Sequence, residues 1–275
     1  MSPKKRYPSD LTDAQWALVD PLLSDPKLHG DKASRNKREL VNAILYLVRT
    51  GCSWRQLPKD FAPWETVYFW FARWRDDGSL DALHDTLRIE VRRAAGRNDE
   101  PTAGCLDAQS VKGADTVPAS TRGYDAGKKT GGRKRHIVVD TMGLLLVVMV
   151  TAASVQDRDG AVGLLAALFM RFRTVRHVWA DGGYAGKLVE AARWFCGITL
   201  DIVRKKEGQR GFEVLPRRWV VERTFAWITK CRRLGHDYER LIATSEAMVK
   251  WAMVGLMTRR LAPSGRRPWA PSGAA

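Results

Sequence analysis

The hydrophobic pattern changes period once along the 275 residues, near Asn98-Asp99-Glu100-Pro101, and that single change restricts the chain to two unlike parts in a fixed order. Upstream, apolar residues recur at helical spacing. Leu40, Val41, Ile44, Leu45 and Val48 line one face before Thr50-Gly51 stops the run, and Trp64, Val67, Tyr68, Phe71 and Trp74 line another behind Pro63. Leu80, Leu83, Leu87 and Val91 make a further helix for which Ser79 is the expected cap, and an earlier one through Trp16, Val19 and Leu22 should bend or end at Pro21. Four short helices make a small helical domain over residues 1–100.

Downstream the pattern becomes short β-branched runs. Cys105-Leu106-Asp107 starts one, Arg135 to Val139 and Leu144 to Val150 form a hairpin about Asp140-Thr141-Met142-Gly143, and His177 to Asp181 and Ile198 to Val203 are two more. Helices are expected from Asp157, with Asp157 and Asp159 as caps, over Lys187 to Phe195, from Pro216 to Arg232 and from Leu241 to Leu261. The succession implies an α+β fold in which a mixed sheet over residues 101–261 is covered by helices. Residues 262–275, rich in proline, glycine and serine, read as a flexible tail.

Charge follows the same division. The formal net charge is +16, yet the first hundred residues hold 17 basic and 15 acidic side chains and the remainder 29 and 15. The positive field therefore belongs to the sheet-containing part and favours a polyanion as partner. Basic segments there are Lys128, Lys129, Arg133, Lys134 and Arg135, and Arg204, Lys205, Lys206, Arg210, Arg217 and Arg218, runs suited to a nucleic-acid backbone or to a solvated loop. Four dispersed cysteines with no C-x-x-C spacing exclude a zinc ribbon and fit a reduced, cytoplasmic setting. No apolar stretch reads as a membrane span, and no secretory signal or phosphate-loop motif is present.

Three carboxylates are out of place. Asp107 lies in a strand, where aspartate is disfavoured, and reads as a ligand or as an edge aspartate. Asp181 ends a strand before Gly182-Gly183, at the edge where α/β sheets bind ligands, or simply in an Asp-Gly turn. Glu222 has Trp219, Phe225 and Ala226 as helical neighbours, so it leaves a half-apolar face or pairs with Arg218. Two strand aspartates and a helical glutamate are a donor set for divalent cations in phosphoryl transfer. Asp140 is expected in the hairpin turn, His136 on a sheet face, and Trp64, Trp70 and Trp74 in the core rather than stacked on bases.

Several motifs in order carry a resemblance. Asp107-Ala108-Gln109-Ser110-Val111-Lys112, Gly131 through Asp140, Ala180-Asp181-Gly182-Gly183-Tyr184 and Arg218-Trp219-Val220-Val221-Glu222-Arg223-Thr224, with Tyr7 to Thr12 and Trp54-Arg55-Gln56-Leu57-Pro58 upstream, resemble bacterial insertion-sequence DDE transposases of the insertion sequence five family. The resemblance implies a ribonuclease H-like catalytic domain with Asp107, Asp181 and Glu222 as catalytic, metal-binding triad, and Mg2+ as cofactor, replaceable by Mn2+. It implies double-stranded DNA as partner, at terminal inverted repeats and target, a homo-oligomer of at least two copies, and strand cleavage followed by strand transfer. Lys112, Lys134, Arg135, Arg218, Arg223 and Lys230 are the expected DNA contacts, and the helices Arg38 to Val48 and Trp64 to Arg75 a helix-turn-helix-like reader. A catalytically silent DNA-binding regulator and a structure-selective nuclease of the same fold are the competing classes. Around the last carboxylate, Arg218 and Glu222 match the family signature, but Leu215 stands at its tyrosine position and Lys230 falls one residue late, behind Thr229.

Overall fold

The computed structural model describes residues 7–24, 36–203 and 218–263. Four helices come first: α1 (Asp13–Val19), α2 (Lys37–Thr50), α3 (Trp64–Asp76) and α4 (Ser79–Ala94). Thr12 caps α1 through a reciprocal capping box with Gln15, and the chain turns into a 3-10 turn over Asp20–Leu22, where Pro21 removes an amide. Gly51, at φ 79°, closes α2 in the left-handed region. At α4 the sequence expectation is corrected. Ser79 is the first helical residue and not the cap; its amide donates to Asp77 Oδ1 at 2.9 Å, while Gly78 takes a φ of 81°.

Six strands follow, β1 (Ala103–Lys112), β2 (Gly123–Asp125), β3 (Thr130–Asp140), β4 (Leu145–Ala152), β5 (His177–Ala180) and β6 (Thr199–Ile202). Their order is β2-β3-β1-β5-β6, with β4 sharing the outer edge of β3. β3 is antiparallel to β1 and β4, whereas β1, β5 and β6 run parallel, joined through α5 (Asp157–Arg171) and α6 (Lys187–Cys196). This is the expected α+β arrangement. Asp157 and Asp159 are not the caps of α5, however: Gln156 holds that position, and Asp157 pairs with Lys134 instead.

Alternation along the strands sends side chains into two cores. Leu106 and Val138 face α5 and α6, while Cys105, Ile137 and Val139 face α7 (Arg218–Thr229) and α8 (Ile242–Leu261). The second core does not stop at residue 100. Leu40, Ile44, Phe71, Trp74 and Leu83 of the N-terminal helices join Met248, Trp251 and Val254 of α8 in it. Trp74 and Trp251 are fully buried with ring centres 6.1 Å apart, which confirms Trp70 and Trp74 as core; Trp64 is half-buried beneath the Arg55 guanidinium. Among the described residues, no helix is long and apolar enough to cross a membrane.

Candidate functional site

The parallel pairing of β1 with β5 aligns Ala103 with His177 and Cys105 with Trp179. Carried two residues further, that register sets Asp107 beside Asp181 on the sheet face that α7 covers. Each aspartate is pinned by one oxygen and presents the other. Asp107 Oδ1 accepts from the Ala108 amide at 2.7 Å and Asp181 Oδ1 from the Gly183 amide at 2.8 Å. Gly183 allows that turn, since a Cβ there would stand 3.0 Å from Asp181 Oδ1.

The free oxygens face the first turn of α7. Arg218 Nη2 lies 3.9 Å from Asp107 Oδ2, 3.5 Å from Asp181 Oδ2 and 3.8 Å from Glu222 Oε1. Arg218 and Glu222 are four residues apart on one helix, so the pair is local, but the same guanidinium also reaches two strands. All three carboxylates singled out in the sequence thus share one cationic neighbour. The Arg218 side chain, 21% exposed, is directed into this centre and not outward to solvent.

Burial pushes the Asp107 carboxyl up to about 6, with the Asp181 charge adding to the shift and the Ala108 amide and Arg218 opposing it. Tyr184, in the 3-10 turn after Asp181, is fully enclosed with its hydroxyl unpartnered among the described residues, and its pKa is raised by desolvation first and then by Asp107, Asp157 and Asp181. Nothing in the sequence distinguished Tyr184 from a core aromatic, because its proximity to Asp107 is created only by strand pairing.

The donor chemistry suits a hard divalent cation: three carboxylates, no sulfur and no imidazole. Ligand distances of about 2.0 to 2.6 Å are shorter than the present spacing, and among the described residues no group of three His, Cys, Asp or Glu side chains stands close enough to hold an ion. Arg218 occupies the point on which the oxygens converge, so a cation there would take its place.

The expected DNA contacts separate into two sets. Lys112, at the end of β1, and Lys230, just past α7, are exposed. Arg223 is half-buried, donates to the Met142 carbonyl at 3.0 Å and stacks between Trp219 and Trp227, 4.1 and 4.7 Å from their ring centres. Lys134 and Arg135 are corrections, being 5% and 1% exposed. Lys134 Nζ is paired with Asp125 and Asp157 at 3.1 and 2.8 Å, and Arg135 donates to the Leu234 carbonyl at 2.7 Å. Arg133, from the same run, is fully buried against Asp237 and the carbonyls of Glu239 and Arg240. Arg133 and Arg135 hold the sheet to the segment before α8, and Lys134 holds it to β2 and the start of α5. The second basic run, Arg204 to Arg217, and Leu215 with it, lie outside the described residues, as does the tail beyond residue 263.

His136 is sheet-facing as expected, and Asp140 does more than turn the hairpin. It is fully buried, accepts from the Met142 and Leu144 amides at 2.9 Å each, and forms an ion pair with Arg92 that ties the hairpin to α4.

Residues 98–257 match the family model described as "Transposase DDE domain", an interval that contains all three carboxylates. Residues 11–84 match the one described as "Putative transposase of IS4/5 family". Two relatives come from Burkholderia cepacia. The "Insertion element IS402 uncharacterized 16.2 kDa protein" is 31% identical over 108 residues, 37% of this chain and 72% of that protein. The "Putative transposase for insertion sequence element IS402" is 33% identical over 126 residues, 43% of this chain and 59% of that protein.

Proposed function

The chain belongs to the transposase DDE domain family, and from that premise we propose that it is an insertion-sequence transposase that cuts DNA at the terminal inverted repeats of its element and joins the freed ends to target DNA. Asp107, Asp181 and Glu222 are the carboxylates that act on the phosphodiester. The observation that carries this reading is the convergence of their three oxygens on one point, with each aspartate braced from behind by a backbone amide. Magnesium, or manganese in its place, would be held by these residues and would supply charge neutralisation at the phosphate and activation of the attacking water or 3′-hydroxyl.

The protein's own part is arrangement. The sheet fixes Asp107 and Asp181 side by side, α7 brings Glu222 across from them, and Arg218 balances their negative charge until substrate and cation enter. Tyr184, fully buried in the turn after Asp181, anchors that end of β5 in the core formed with α5 and α6. The helical pair α2 and α3 adds choice of site, acting on a duplex already gripped by the basic second part, and at least two copies bring two element ends together in the cytoplasm.

The test is purified protein with a duplex carrying an element end, in magnesium or manganese. Asp107→Asn, Asp181→Asn and Glu222→Gln are each expected to abolish cutting while DNA binding persists. A triple variant that still cuts would overturn the assignment of the centre. Joining of pre-cleaved ends to a second duplex separates a transposase from a nuclease of the same fold, which would cut and not join, and from a silent regulator, which would do neither.

A further inference from the structure

Away from the carboxylates, two adjoining clefts of about 560 and 290 Å³ open where the segment before α1, the end of α2, the end of α7 and the last turns of α8 meet. Four cations stand around them: Arg49, Lys230, Arg232 and Arg259. No described carboxylate lines either cleft, and among the described residues none of the four makes an ion pair. All four are exposed, unlike Arg92, Arg133 and Arg233, which are buried and each paired with a carboxylate. Arg49 donates to the Lys230 carbonyl at 3.0 Å, which draws two of the charges together. The Arg259 guanidinium lies against Gly255, 3.5 Å from where a Cβ would stand, and its pKa is lowered by desolvation first and also by its neighbour Arg49. Ser9 adds a hydroxyl that has no partner among the described residues. Concentrated positive charge in a concave wall with a spare donor is a site for phosphate oxygens.

Its position points to whose phosphates these are. Lys230, just past the end of α7, follows Glu222 by eight residues, about 12 Å at the rise of a helix, which is the axial length of three to four base pairs. Within that interval Arg223 stacks on Trp227, and on Trp219 one turn earlier, and Trp227 itself lines the larger cleft. We propose that this cleft is a backbone-phosphate site for the same DNA duplex, holding it three to four base pairs from the phosphate cut at the carboxylates. The proposal rests on the transposase reading for the identity of the duplex.

The experiment is the salt dependence of binding of the full-length protein to duplex DNA in EDTA, where no cutting occurs. Arg49→Gln with Arg259→Gln is expected to flatten the slope of log K against log salt by about 1 to 2 and to weaken binding correspondingly. Lys230→Gln with Arg232→Gln, at the exposed rim, should do the same and keeps the test open if the first pair impairs folding. Arg173→Gln, just past the end of α5, should leave the slope as it is. Unchanged slopes in both cleft variants, with the parent binding DNA normally, would overturn the cleft while leaving the carboxylate centre standing. A parent protein with no salt-dependent affinity for DNA would overturn the transposase reading and the cleft together.

Discussion

Arg218 Nη2 stands 3.5 Å from Asp181 Oδ2, and the same nitrogen is the common neighbour of Asp107 and Glu222. The guanidinium therefore acts as an internal counter-ion at the place where the proposed cation would sit. Removing it should expose the carboxylates to one another and to metal. Arg218→Gln is expected to melt slightly lower than the parent without metal, by no more than about 1 kcal/mol since the groups are partly solvated. With Mn2+ it should gain more stability than the parent: a tenfold lower Kd adds about 1.4 kcal/mol at saturation. Thermal melts across a manganese titration read both quantities. Equal manganese shifts in parent and variant would show that Arg218 does not compete for the site.

The buried basic strand makes a second prediction. Asp237 Oδ2 accepts from Ser245 Oγ at 2.7 Å and lies 3.5 Å from Arg133 Nη1, while Oδ1 accepts from the Glu239 amide at 2.9 Å. Its backbone also bonds both ways with the end of β1, to the Lys112 carbonyl and from the Ala114 amide. Breaking a buried pair by removing one partner costs about 3 to 5 kcal/mol because the other charge is left uncompensated. Asp237→Asn should therefore lose stability in that range in urea unfolding. Since Arg133 faces the protein interior, the salt dependence of DNA binding should be unaffected in any variant that folds. A loss under about 1 kcal/mol would mean that the carbonyls around Arg133 compensate it alone.

Arg133, Lys134 and Arg135 also mark what the sequence leaves unreadable. As a run of cations they look like a solvated loop or a DNA contact. Their burial follows from both faces of β3 being covered, by α5 on one side and by the segment before α8 on the other, and neither covering is local in sequence. The core helices and the hairpin were legible because their periodicity is local. So were Asp107, Asp181 and Glu222, each of which broke a local rule of its element. Tyr184 and the counter-ion role of Arg218 were not, since each depends on pairing between distant strands and α7. The boundary near residue 100 is visible as a change of period, but the α8 residues that complete the core of the N-terminal helices lie 150 residues further on and carry no matching signal.

Two buried histidines give a pH dependence. Burial pushes His136 down to about 4, against the opposing pull of Asp157, and lowers His84 as well. A histidine whose folded pKa is depressed is protonated more readily in the unfolded chain, so it contributes stability above its ordinary value of 6.5 that is lost as pH falls. For His136 the loss runs from about pH 6.5 to 4 and approaches about 3 kcal/mol at the lower end. Unfolding free energy measured between pH 7 and 5 should fall in the parent and fall less steeply in His136→Leu. Parallel curves for parent and variant would place the imidazole's folded pKa near its ordinary value.

The same ring sets the seat of α5. A Cβ on Gly160 would stand 2.3 Å from Cε1 and 2.4 Å from Nε2 of His136, whose Nε2 is 3.0 Å from Thr151 Oγ1. Alanine is the better helix former by about 1 kcal/mol, so propensity alone says that Gly160→Ala should stabilise the protein. Overpacking in a closed core costs about 1 to 3 kcal/mol, and here the obstacle is a rigid ring held between two strands, so the clash should win. Gly160→Ala is expected to lower stability, and Gly160→Ala combined with His136→Ala to recover more than the two single effects sum to, because the second change vacates the space the first one needs. Additive losses across that cycle would mean that α5 shifts on the sheet instead of meeting the ring.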